Sequence, residues 1–280
     1  MGETREGGDS PESRRAGAFV LSHGLVERVV KGLAVVHQGV WLGLLDRAEL
    51  NDVTRRAYGE SSPYLATTYN QSGLRAWEAA LIDHYFGQCR SVLVGAAGSG
   101  REVIVLCQRG MVVEAFDCSE PLVEQGRRLL AAHGLKAPLL LARPDEVPDA
   151  LGTYDGIIMG WGGYGHIVGR RARVALLGAL RPHIRTNGPL LISFGSREQA
   201  PRIRLYRGVL AIARTIRWMR RSHDPVELGD VLPHGFAHRF TKDEVEGELR
   251  EGGFRPTFFA DVDYGVAIAH AAETGAARSA

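Results

Sequence analysis

The chain has 280 residues, of which 45% are hydrophobic, and carries a formal net charge of +2 at pH 7. This length and composition suit one large soluble domain, with or without an appendage, and the small net charge gives no general case for a nucleic-acid partner. The three cysteines, Cys89, Cys107 and Cys118, show no Cys-x-x-Cys spacing, so we expect neither a disulfide framework nor a zinc site and place the protein in the reducing cytoplasm.

The first part of the chain is predicted to be helical after a disordered start. Residues 1–16 are polar, charged and rich in glycine, which is typical of a disordered tail. Residues 17–75 carry apolar side chains at helical spacing in three successive pieces, which predicts a helical cap. The most apolar run within this cap, from Gly32 to Leu45, is shorter than the about 20 residues of a membrane span, so we expect no membrane partner.

From residue 76 onward, short apolar runs alternate with helical segments. This alternation predicts a parallel sheet with helices on both faces. The predicted strands are Ser91–Ala96, Val112–Asp117, Pro138–Ala142, Tyr154–Met159 and Pro189–Phe194, followed by two closing strands at Arg255–Ala260 and Tyr264–His270.

The turn after the first of these strands is the most informative stretch of the sequence. Gly98 and Gly100 let the backbone approach a ligand that a side chain would block, and the helix that follows presents free N–H groups and a positive dipole end. The next strand ends in Asp117, whose carboxylate is placed to accept hydrogen bonds from two ribose hydroxyls. The pattern predicts a ligand that carries a ribose, although a glycine-rich turn alone also occurs in NAD enzymes.

Further segments in chain order narrow this prediction. Residues 92–100 resemble the first motif of class I S-adenosylmethionine-dependent methyltransferases, and residues 112–117 resemble the strand that ends in their ribose-binding acid. Residues 154–161 resemble the fourth strand of that family. Leu180-Arg-Pro resembles the helix that follows in the family, and residues 188–194 resemble the family's fifth strand. Residues 240–245, with Gly252-Gly-Phe254 after them, resemble the family's last helix.

The resemblance spans residues 76–270 and implies a fold and a cofactor. The implied fold is an α/β Rossmann-like doubly wound sheet of seven strands, mostly parallel with an antiparallel closing strand, next to the helical cap. The methyltransferase domain would carry a helical insertion at about residues 196–238, and residues 271–280 would form a tail. The implied cofactor is S-adenosyl-L-methionine.

The resemblance also assigns cofactor binding to the loop after the first strand. The loop residues concerned are Gly95, Ala96, Ala97, Gly98 and Gly100. Family members usually carry an acid two residues before the first glycine of the motif; here Val94 holds that place, and Ala96 stands where the first glycine would be. Glu102, early in the next helix, is placed to compensate for the missing acid, or else only interacts favourably with the helix dipole.

Three further residues are candidates for the cofactor site. Asp145 follows the third strand, where similar enzymes accept a hydrogen bond from the adenine amino group; the alternative is a solvated turn acid. Cys118 follows the ribose acid and lines the adenosine pocket, or is a buried inert thiol. Tyr69 covers the cofactor, as an aromatic residue from this region does in similar enzymes, or has a plain packing role.

The segment after the fourth strand lies where ligands meet open parallel sheets. Gly160 permits close backbone approach, and Trp161 offers an aromatic face to a sulfonium. Tyr164 offers a hydroxyl and His166 a possible general base, so both are predicted to be catalytic. The alternatives are that Trp161 and Tyr164 pack the sheet end and that His166 is a capping or solvated histidine.

The insertion contains an arginine-rich helix, predicted at Arg202–Arg221. Its arginines are either a solvated face or a site for an anionic acceptor, a membrane surface or nucleic acid. The helix is accompanied by no recognisable RNA-binding module, so we expect no nucleic-acid partner. His234 and His238 follow it, but Pro233 and Gly235 argue against a helix there and no acid completes a ligand set, so we expect no metal.

These features predict a methyltransferase that acts on a small-molecule acceptor by O- or N-methylation, mainly through proximity and orientation. One alternative is a non-catalytic binding subunit with the same fold, motivated by Val94 and Ala96. Another is an NAD(P)-dependent oxidoreductase, although Gly95-x-x-Gly98-x-Gly100 departs from Gly-x-Gly-x-x-Gly and no Tyr-x-x-x-Lys pair is evident. The sequence leaves open the acceptor, the methylated atom and the oligomeric state.

Overall fold

The computed structural model describes residues 11–60, 63–197, 203–261 and 264–272. The helices are α1 (Pro11–Leu44), α2 (Arg47–Gly59), α3 (Thr67–Asn70), α4 (Ala76–Tyr85), α5 (Arg101–Gln108), α6 (Glu120–Ala132), α7 (Arg170–Leu180), α8 (Ile203–Met219) and α9 (Lys242–Glu251). The strands are β1 (Ser91–Gly95), β2 (Val112–Asp117), β3 (Leu139–Leu141), β4 (Gly156–Met159), β5 (Pro189–Ser196), β6 (Asp230–Val231), β7 (Ala237–Phe240), β8 (Phe254–Asp261) and β9 (Gly265–Ala271).

Seven strands form the predicted doubly wound sheet. Strands β3, β2, β1, β4 and β5 lie side by side in that order, and all four pairings are parallel. Strand β9 pairs antiparallel with β5, and β8 pairs antiparallel with β9, which gives the order β3-β2-β1-β4-β5-β9-β8. The predicted α/β fold is therefore confirmed. The strand order reverses between β1 and β4, and ligands of open α/β sheets bind at such a reversal.

Two short strands, β6 and β7, were not predicted. Strand β5 continues to Ser196, beyond its predicted end at Phe194, and its last two residues pair in parallel with β7. Strand β6 pairs antiparallel with β7. The two strands therefore attach the end of the insertion to the sheet, next to the edge at which β5 ends.

The sheet has a buried core on each face because its central strands carry apolar side chains on both faces. In β1, Val92 and Val94 pack with residues of α4, α5 and α6, whereas Leu93 packs with residues of α7 and α9. All three side chains are fully buried. Such two-sided burial is typical of parallel strands, and each side chain of this size contributes about 1.5–3 kcal/mol on burial.

The N-terminal helix is longer than predicted. Residues 11–16, assigned from sequence to a disordered tail, belong to α1, and the two pieces predicted after them are one continuous helix to Leu44. The interior glycines cost the helix only about 1 kcal/mol each and do not end it, and Pro11 is acceptable in a first turn. Residues 1–10 and 273–280 of the two predicted tails lie outside the described residues, and Ala271 is the last residue of β9.

The C-terminal half of α1 packs along α8, and the two helices run in the same direction. Ideal Cβ positions at Gly39 and Gly43 lie 2.7 Å from the Cβ atoms of Ile212 and Ile216, so the helices approach at a distance that only glycine permits. The buried guanidinium of Arg217 donates hydrogen bonds to carbonyl oxygens at the end of α1, at 2.9 Å to Leu42 and 2.8 Å to Leu45.

The arginines of α8 are therefore not all a solvated face, as one interpretation of the sequence had it. Arg217 satisfies helix-terminal carbonyls that no amide of α1 can reach. Arg204, Arg207 and Arg214 are exposed. Within the described parts of the chain, no helix is long and apolar enough to cross a membrane.

Candidate functional site

A cavity lies at the carboxyl ends of the central strands, under the helical cap. Its floor comes from the segments that follow β1, β2, β3 and β4, including residues 96–99 and 116–119. Its roof comes from α2 and from the segment with Tyr64, Tyr69 and Asn70. The reversal of strand order and the cap thus enclose one space. None of the described residues of α8 lines it, which separates the arginine-rich helix from the cavity.

The glycine-rich loop folds against the end of β2. Ala96, Ala97 and Gly98 line the cavity, whereas Gly95 and Gly100 do not. Gly98 has a φ of +54°, and a Cβ placed on it would meet nothing within 4 Å, so its surface is open to a ligand. The predicted open approach at Gly98 is present in the structure.

Two other loop residues have structural roles. A Cβ on Gly95 would lie 2.7 Å from the Met159 sulfur, so this glycine allows β1 and β4 to pack closely. Gly100 has a φ of +87° and immediately precedes α5. Ala96 also has a positive φ, of +51°, in the left-handed region that disfavours residues with a Cβ. It therefore adopts a conformation suited to the glycine that the motif usually has there.

Asp117 holds the loop and borders the cavity at the same time. Its Oδ2 accepts a hydrogen bond of 2.8 Å from the Gly98 amide, and its Oδ1 accepts one of 2.8 Å from the Ser119 amide. Burial raises the pKa of this carboxyl group, while the amide hydrogen bonds lower it. A carboxylate offers about four acceptor positions, so Asp117 retains acceptor capacity for a ligand.

Two buried hydroxyls in the cavity wall indicate a polar ligand. Ser99 and Ser119 line the cavity and are almost fully buried, and neither Oγ has a hydrogen-bond partner among the residues that the structure describes. A buried polar atom without a partner costs about 1–3 kcal/mol, so such atoms call for an explanation. Sequence reasoning did not select either serine for the site; their positions in the glycine loop and after Asp117 were the available signal.

Asp145 connects the core to the cap. It lines the cavity, and its Oδ2 accepts hydrogen bonds from Arg47 Nη2 at 2.6 Å and from Asn51 Nδ2 at 3.4 Å, both in α2. Its side chain is 6% exposed, so the alternative of a solvated turn acid is wrong. The hydrogen bonds that described residues donate to this carboxylate all end on Oδ2.

Cys118 lines the cavity beside Asp117. Burial, together with the Asp117 charge, raises the pKa of its thiol to about 12. The thiol is therefore neutral at physiological pH, because its pKa lies several pH units higher, and it offers a small apolar surface rather than a nucleophile.

Glu102 belongs to a buried charge cluster at the start of α5. Arg101 donates hydrogen bonds to both carboxylate oxygens of Glu78, at 2.7 and 2.6 Å, and to Glu102 Oε1 at 2.5 Å. All three residues are more than nine-tenths buried, and Arg101 and Glu102 line the cavity. Burial and the neighbouring Glu78 raise the pKa of Glu102, while Arg101 lowers it. Glu102 therefore takes part in a buried ion-pair cluster in addition to any interaction with the helix dipole. The sequence analysis did not select Arg101 or Glu78 for the site.

Aromatic side chains form one wall of the cavity. Tyr69 lines it, with its ring 4.9 Å from that of Tyr64, and the Tyr64 ring lies 5.4 Å from that of Tyr58. Tyr58 was missed, because on α2 its spacing resembles that of any helical packing residue. Trp161 also lines the cavity, and its ring contacts that of Tyr264 at 4.3 Å and lies under the Arg75 guanidinium at 4.0 Å.

His166 lies in the cavity wall with a defined tautomer. Its Nδ1 is 2.7 Å from the Phe236 carbonyl oxygen, and because a carbonyl only accepts, Nδ1 carries the proton and donates it. In the neutral ring Nε2 then holds the lone pair. Burial lowers the pKa of His166 from its usual 6.5, which favours the neutral form, and the Tyr58 ring packs against it at 4.9 Å.

Tyr164 is not at the cavity, so its predicted catalytic role is wrong. It is fully buried, its hydroxyl donates a 2.6 Å hydrogen bond to Glu248, and its ring stacks on Phe240. Burial raises the pKa of its hydroxyl well above the usual value. The short turn at 163–166 directs alternate side chains to different places, with Tyr164 in the core and His166 at the cavity.

Gly160, the other glycine predicted for this segment, packs against the loop after β1. A Cβ there would lie 2.5 Å from the Ala96 carbonyl oxygen. It does not line the main cavity, but it borders the small adjoining pocket that also contains Trp77, Glu78 and Glu102.

The reason for excluding a metal near His238 was incorrect. Two acids do lie beside it: its Nδ1 is 2.7 Å from Asp230 Oδ1 and 3.7 Å from Glu227 Oε2. Glu227 also accepts a 2.7 Å hydrogen bond from Arg173, which bridges it to Glu248. The group forms an ion-pair network between β6, β7, α7 and α9. Ligand atoms of Glu227, Asp230 and His238 lie within 4.8 Å of one another, which is close enough to hold a metal ion.

Comparisons with known proteins agree on the fold. No protein-family model and no curated protein matches the chain. Among solved structures, it is similar to a 1,6-didemethyltoxoflavin N1-methyltransferase of Burkholderia thailandensis, with a TM-score of 0.59, 18% identity, and coverage of 82% of this chain and 92% of that one. It is also similar to an S-adenosylmethionine-dependent methyltransferase of Methanosarcina mazei (TM-score 0.55, 17% identity, 71% and 99% covered) and to the CcbJ methyltransferase of Streptomyces caelestis (0.55, 15%, 78% and 99%). These likenesses show that the chain has the class I methyltransferase fold.

Proposed function

We propose that this protein is an S-adenosylmethionine-dependent methyltransferase that acts on a small-molecule acceptor at oxygen or nitrogen. The observation that carries the proposal is the junction of Gly98 and Asp117. An open glycine loop and a carboxylate meet there, at the strand-order reversal of a sheet with the methyltransferase strand order.

The residues around this junction fit the cofactor. Asp117 would accept the ribose hydroxyls, and Ser99 and Ser119 have buried hydroxyls that lack described partners. Asp145 would accept from the adenine amino group through Oδ1, since Arg47 and Asn51 bind Oδ2. The Burkholderia structure, similar in fold, is described with S-adenosylhomocysteine and 1,6-didemethyltoxoflavin bound, which supports a cofactor and acceptor of this kind.

When bound, the cofactor supplies an activated methyl group to the acceptor. The protein aligns the two ligands and excludes water, and such positioning accounts for most of the catalysis expected of this reaction class. The roof over residues 96–99 and 116–119 would exclude water, and the aromatic wall at Tyr58, Tyr69 and Trp161 would hold an apolar, flat part of the acceptor. His166 Nε2 would accept the proton that an O–H or N–H acceptor must lose.

Calorimetry with S-adenosylmethionine and S-adenosylhomocysteine tests the proposal directly. We expect both to bind the full chain at micromolar concentrations, one molecule per chain. A folded protein that binds neither at high micromolar concentration would contradict the proposal. Candidate methyl acceptors are then screened by measuring the release of S-adenosylhomocysteine. This readout does not depend on which atom is methylated.

A non-catalytic binding subunit remains the second candidate. Ala96, held at positive φ where the motif usually has glycine, is the observation that favours it. It predicts weak cofactor binding, no turnover with any acceptor, and a tight complex with another protein. The oxidoreductase alternative loses support, because the antiparallel β9 interrupts the all-parallel strand order of dinucleotide-binding sheets.

A further inference from the structure

The cluster of Arg101, Glu78 and Glu102 contains one basic and two acidic side chains. One guanidinium faces two carboxylates, so the ionised cluster has a net charge of −1 in a place that solvent scarcely reaches. Buried charges are normally paired, since removing an ion from water costs several kcal/mol. A cationic ligand that contacts the cluster would complete the pairing.

Other atoms near the cluster also lack partners. Ser99, one of the almost fully buried hydroxyls, lines the same cavity as Glu102. Trp77 Nε1 is buried without a described partner, and Trp77 borders the small pocket shared by Glu78, Glu102 and Trp161. A ligand with both a cationic donor and an acceptor group would satisfy the Glu102 carboxylate and the Ser99 hydroxyl, which line the same cavity. An α-amino acid is the simplest group that carries both.

We propose that Glu102, held in place by Arg101 and Glu78, binds the ammonium group of the cofactor's amino-acid end. This inference rests on the proposed function. It places the anionic contact on α5 rather than on β1, where Val94 is fully buried among the apolar side chains of the same layer. Ser99 Oγ, in the same cavity as Glu102, is a donor for the carboxylate of the same amino-acid group.

The test compares two nucleosides that differ in this end alone. S-adenosylhomocysteine carries the amino-acid group, and 5′-methylthioadenosine lacks it. For Glu102→Gln we expect S-adenosylhomocysteine to bind at least about tenfold more weakly, as befits one lost charge-assisted hydrogen bond, while 5′-methylthioadenosine binds within about twofold of the native protein. Glu102→Asp, which keeps the charge on a shorter side chain, should fall between the two.

Glu124→Gln is the matched control, because Glu124 is exposed on α6 and does not line the cavity. It should change neither affinity. Equal effects of Glu102→Gln on both nucleosides, or none on either, would overturn the inference while leaving the proposed function intact. A native protein that binds neither nucleoside would overturn the proposed function, and this inference with it. Thermal unfolding of each variant separates lost binding from lost folding.

A second inference concerns the first part of α1. Every residue from 15 to 34 is exposed, apart from the half-buried Gly24. The large apolar side chains in this stretch are 53% to 77% exposed: Phe19, Val20, Leu21, Leu25, Val26, Val29, Val30 and Leu33. Contiguous apolar surface of this extent is rare on a soluble monomer and marks an interaction site.

Part of this surface follows a heptad repeat. Apolar residues alternate at spacings of three and four, as in the a and d positions of a coiled coil: Val26, Val29, Leu33, Val36 and Val40, preceded by Phe19. The repeat does not compete with α8. At about 100° per residue, Val26 lies about 180° around the helix from Val35, which is the residue that meets Gly208 of α8.

We infer that the heptad stripe of α1 pairs with the same stripe of a second copy of this chain. A self-complementary stripe suits the two-fold symmetry of most homodimers. The stripe residues Phe19, Val26, Val29, Leu33 and Val36 are 50% to 67% exposed, so the stripe is uncovered over most of its length. Glu27, Arg28 and Lys31 lie on the other side of the helix and would stay in water.

Analytical ultracentrifugation of the full chain tests this pairing. We expect a dimer at micromolar concentration, and a monomer for Val26→Glu and for Leu33→Glu with unchanged thermal unfolding of the domain and unchanged cofactor affinity. Arg28→Glu, on the polar side, should remain dimeric. A monomeric native chain, or a Val26→Glu variant that still dimerises, would overturn the inference. So would a monomer that sediments with phosphatidylglycerol vesicles, since the stripe would then face lipid.

Discussion

At the scale of single residues, hydrogen bonds decide which of the chemically suitable side chains can act. Asp117 and His166 both line the cavity, and each uses part of its hydrogen-bonding capacity within the protein. Tyr164, only two residues from His166, donates its hydroxyl hydrogen bond to Glu248 in the core. The sequence made all three residues candidates for the site, and only their hydrogen-bond partners show which of them line the cavity.

Replacing Asp117 with Asn tests the ribose contact. The amide retains one acceptor oxygen but turns the other into a donor that faces an N–H group of the loop, so both the loop and the ribose contact weaken. We expect at least about tenfold weaker binding of S-adenosylhomocysteine by calorimetry, corresponding to about 1.4 kcal/mol or more. Asp149→Asn, outside the cavity, is the control. Unchanged affinity in Asp117→Asn would show that the ribose is placed wrongly.

The state of His166 predicts a pH dependence. Its pKa is lowered from 6.5 by burial, so the neutral, proton-accepting form predominates at neutral pH and is lost as the pH falls through the lowered pKa. Methyl transfer should therefore be constant near neutrality and decline at acidic pH. By the same sign, protonation favours the unfolded state, so the contribution of His166 to stability is lost as the pH falls below its unfolded value.

Replacing His166 with Ala should remove the acidic limb and lower kcat by about 10²–10⁴-fold for a hydroxyl acceptor. Cofactor affinity should change little, because the proposed role concerns the acceptor. His84, on α4 and outside the cavity, is the control position for a histidine-to-alanine change. An unaltered pH profile in His166→Ala would exclude this residue as the base.

At the scale of elements, α1 and α8 form a helix pair built on glycine. Gly39 and Gly43 accept the Ile212 and Ile216 side chains on their surfaces, and Arg217 binds the terminal carbonyl groups of α1. The sequence predicted both helices from their apolar spacing but could not show that they pair, because spacing within a helix does not specify its partner.

Alanine substitutions in α1 separate the packed half from the exposed half. At Gly39 the new Cβ would lie 2.7 Å from Ile212 Cβ, so Gly39→Ala should lower the free energy of unfolding by about 1–3 kcal/mol through overpacking. At Gly32 a Cβ meets nothing within 4 Å, so Gly32→Ala should be neutral or stabilise by up to about 1 kcal/mol. Chemical denaturation measures both. Equal effects at the two positions would contradict the pairing.

At the scale of the whole molecule, the cap is joined to the sheet through the cavity itself. Arg47 in α2 bonds to Asp145 in the loop after β3 at 2.6 Å, and Thr54 Oγ1 accepts a hydrogen bond from the Phe236 amide. Arg47, which holds the roof, thus bonds directly to Asp145, which is proposed to bind the adenine. Opening of the roof and release of the cofactor should be coupled for this reason.

Arg47→Ala tests this coupling. It leaves the largely buried Asp145 carboxylate without its ion-pair partner, so α2 should exchange its amide hydrogens about tenfold faster and the cofactor should dissociate faster. Arg56→Ala is the matched control, because it removes only an exposed pair with Asp52 within α2. Hydrogen-exchange mass spectrometry distinguishes the two. Equal exchange in both variants would show that the Arg47 bond does not hold the roof.

The sequence by itself determined the sheet and the cofactor loop. The alternation of apolar runs and helices, the glycines at 98 and 100, and the carboxylate of Asp117 are local patterns, and burial on both faces of a parallel sheet leaves such strands few alternative pairings. The short strands β6 and β7 escaped prediction because segments of two and four residues carry too little pattern.

Only the tertiary structure decided what faces the cavity. Tyr58, Ser99 and Arg101 come to it from separate elements, and Tyr164 leaves it for the core. These placements depend on how α2 and the turn at 163–166 pack against the sheet. Contacts between residues far apart in the chain set them, and such contacts leave no periodic signal in the sequence. The surroundings of Glu102 were also set by tertiary structure, because Arg101 joins it to Glu78 on another helix.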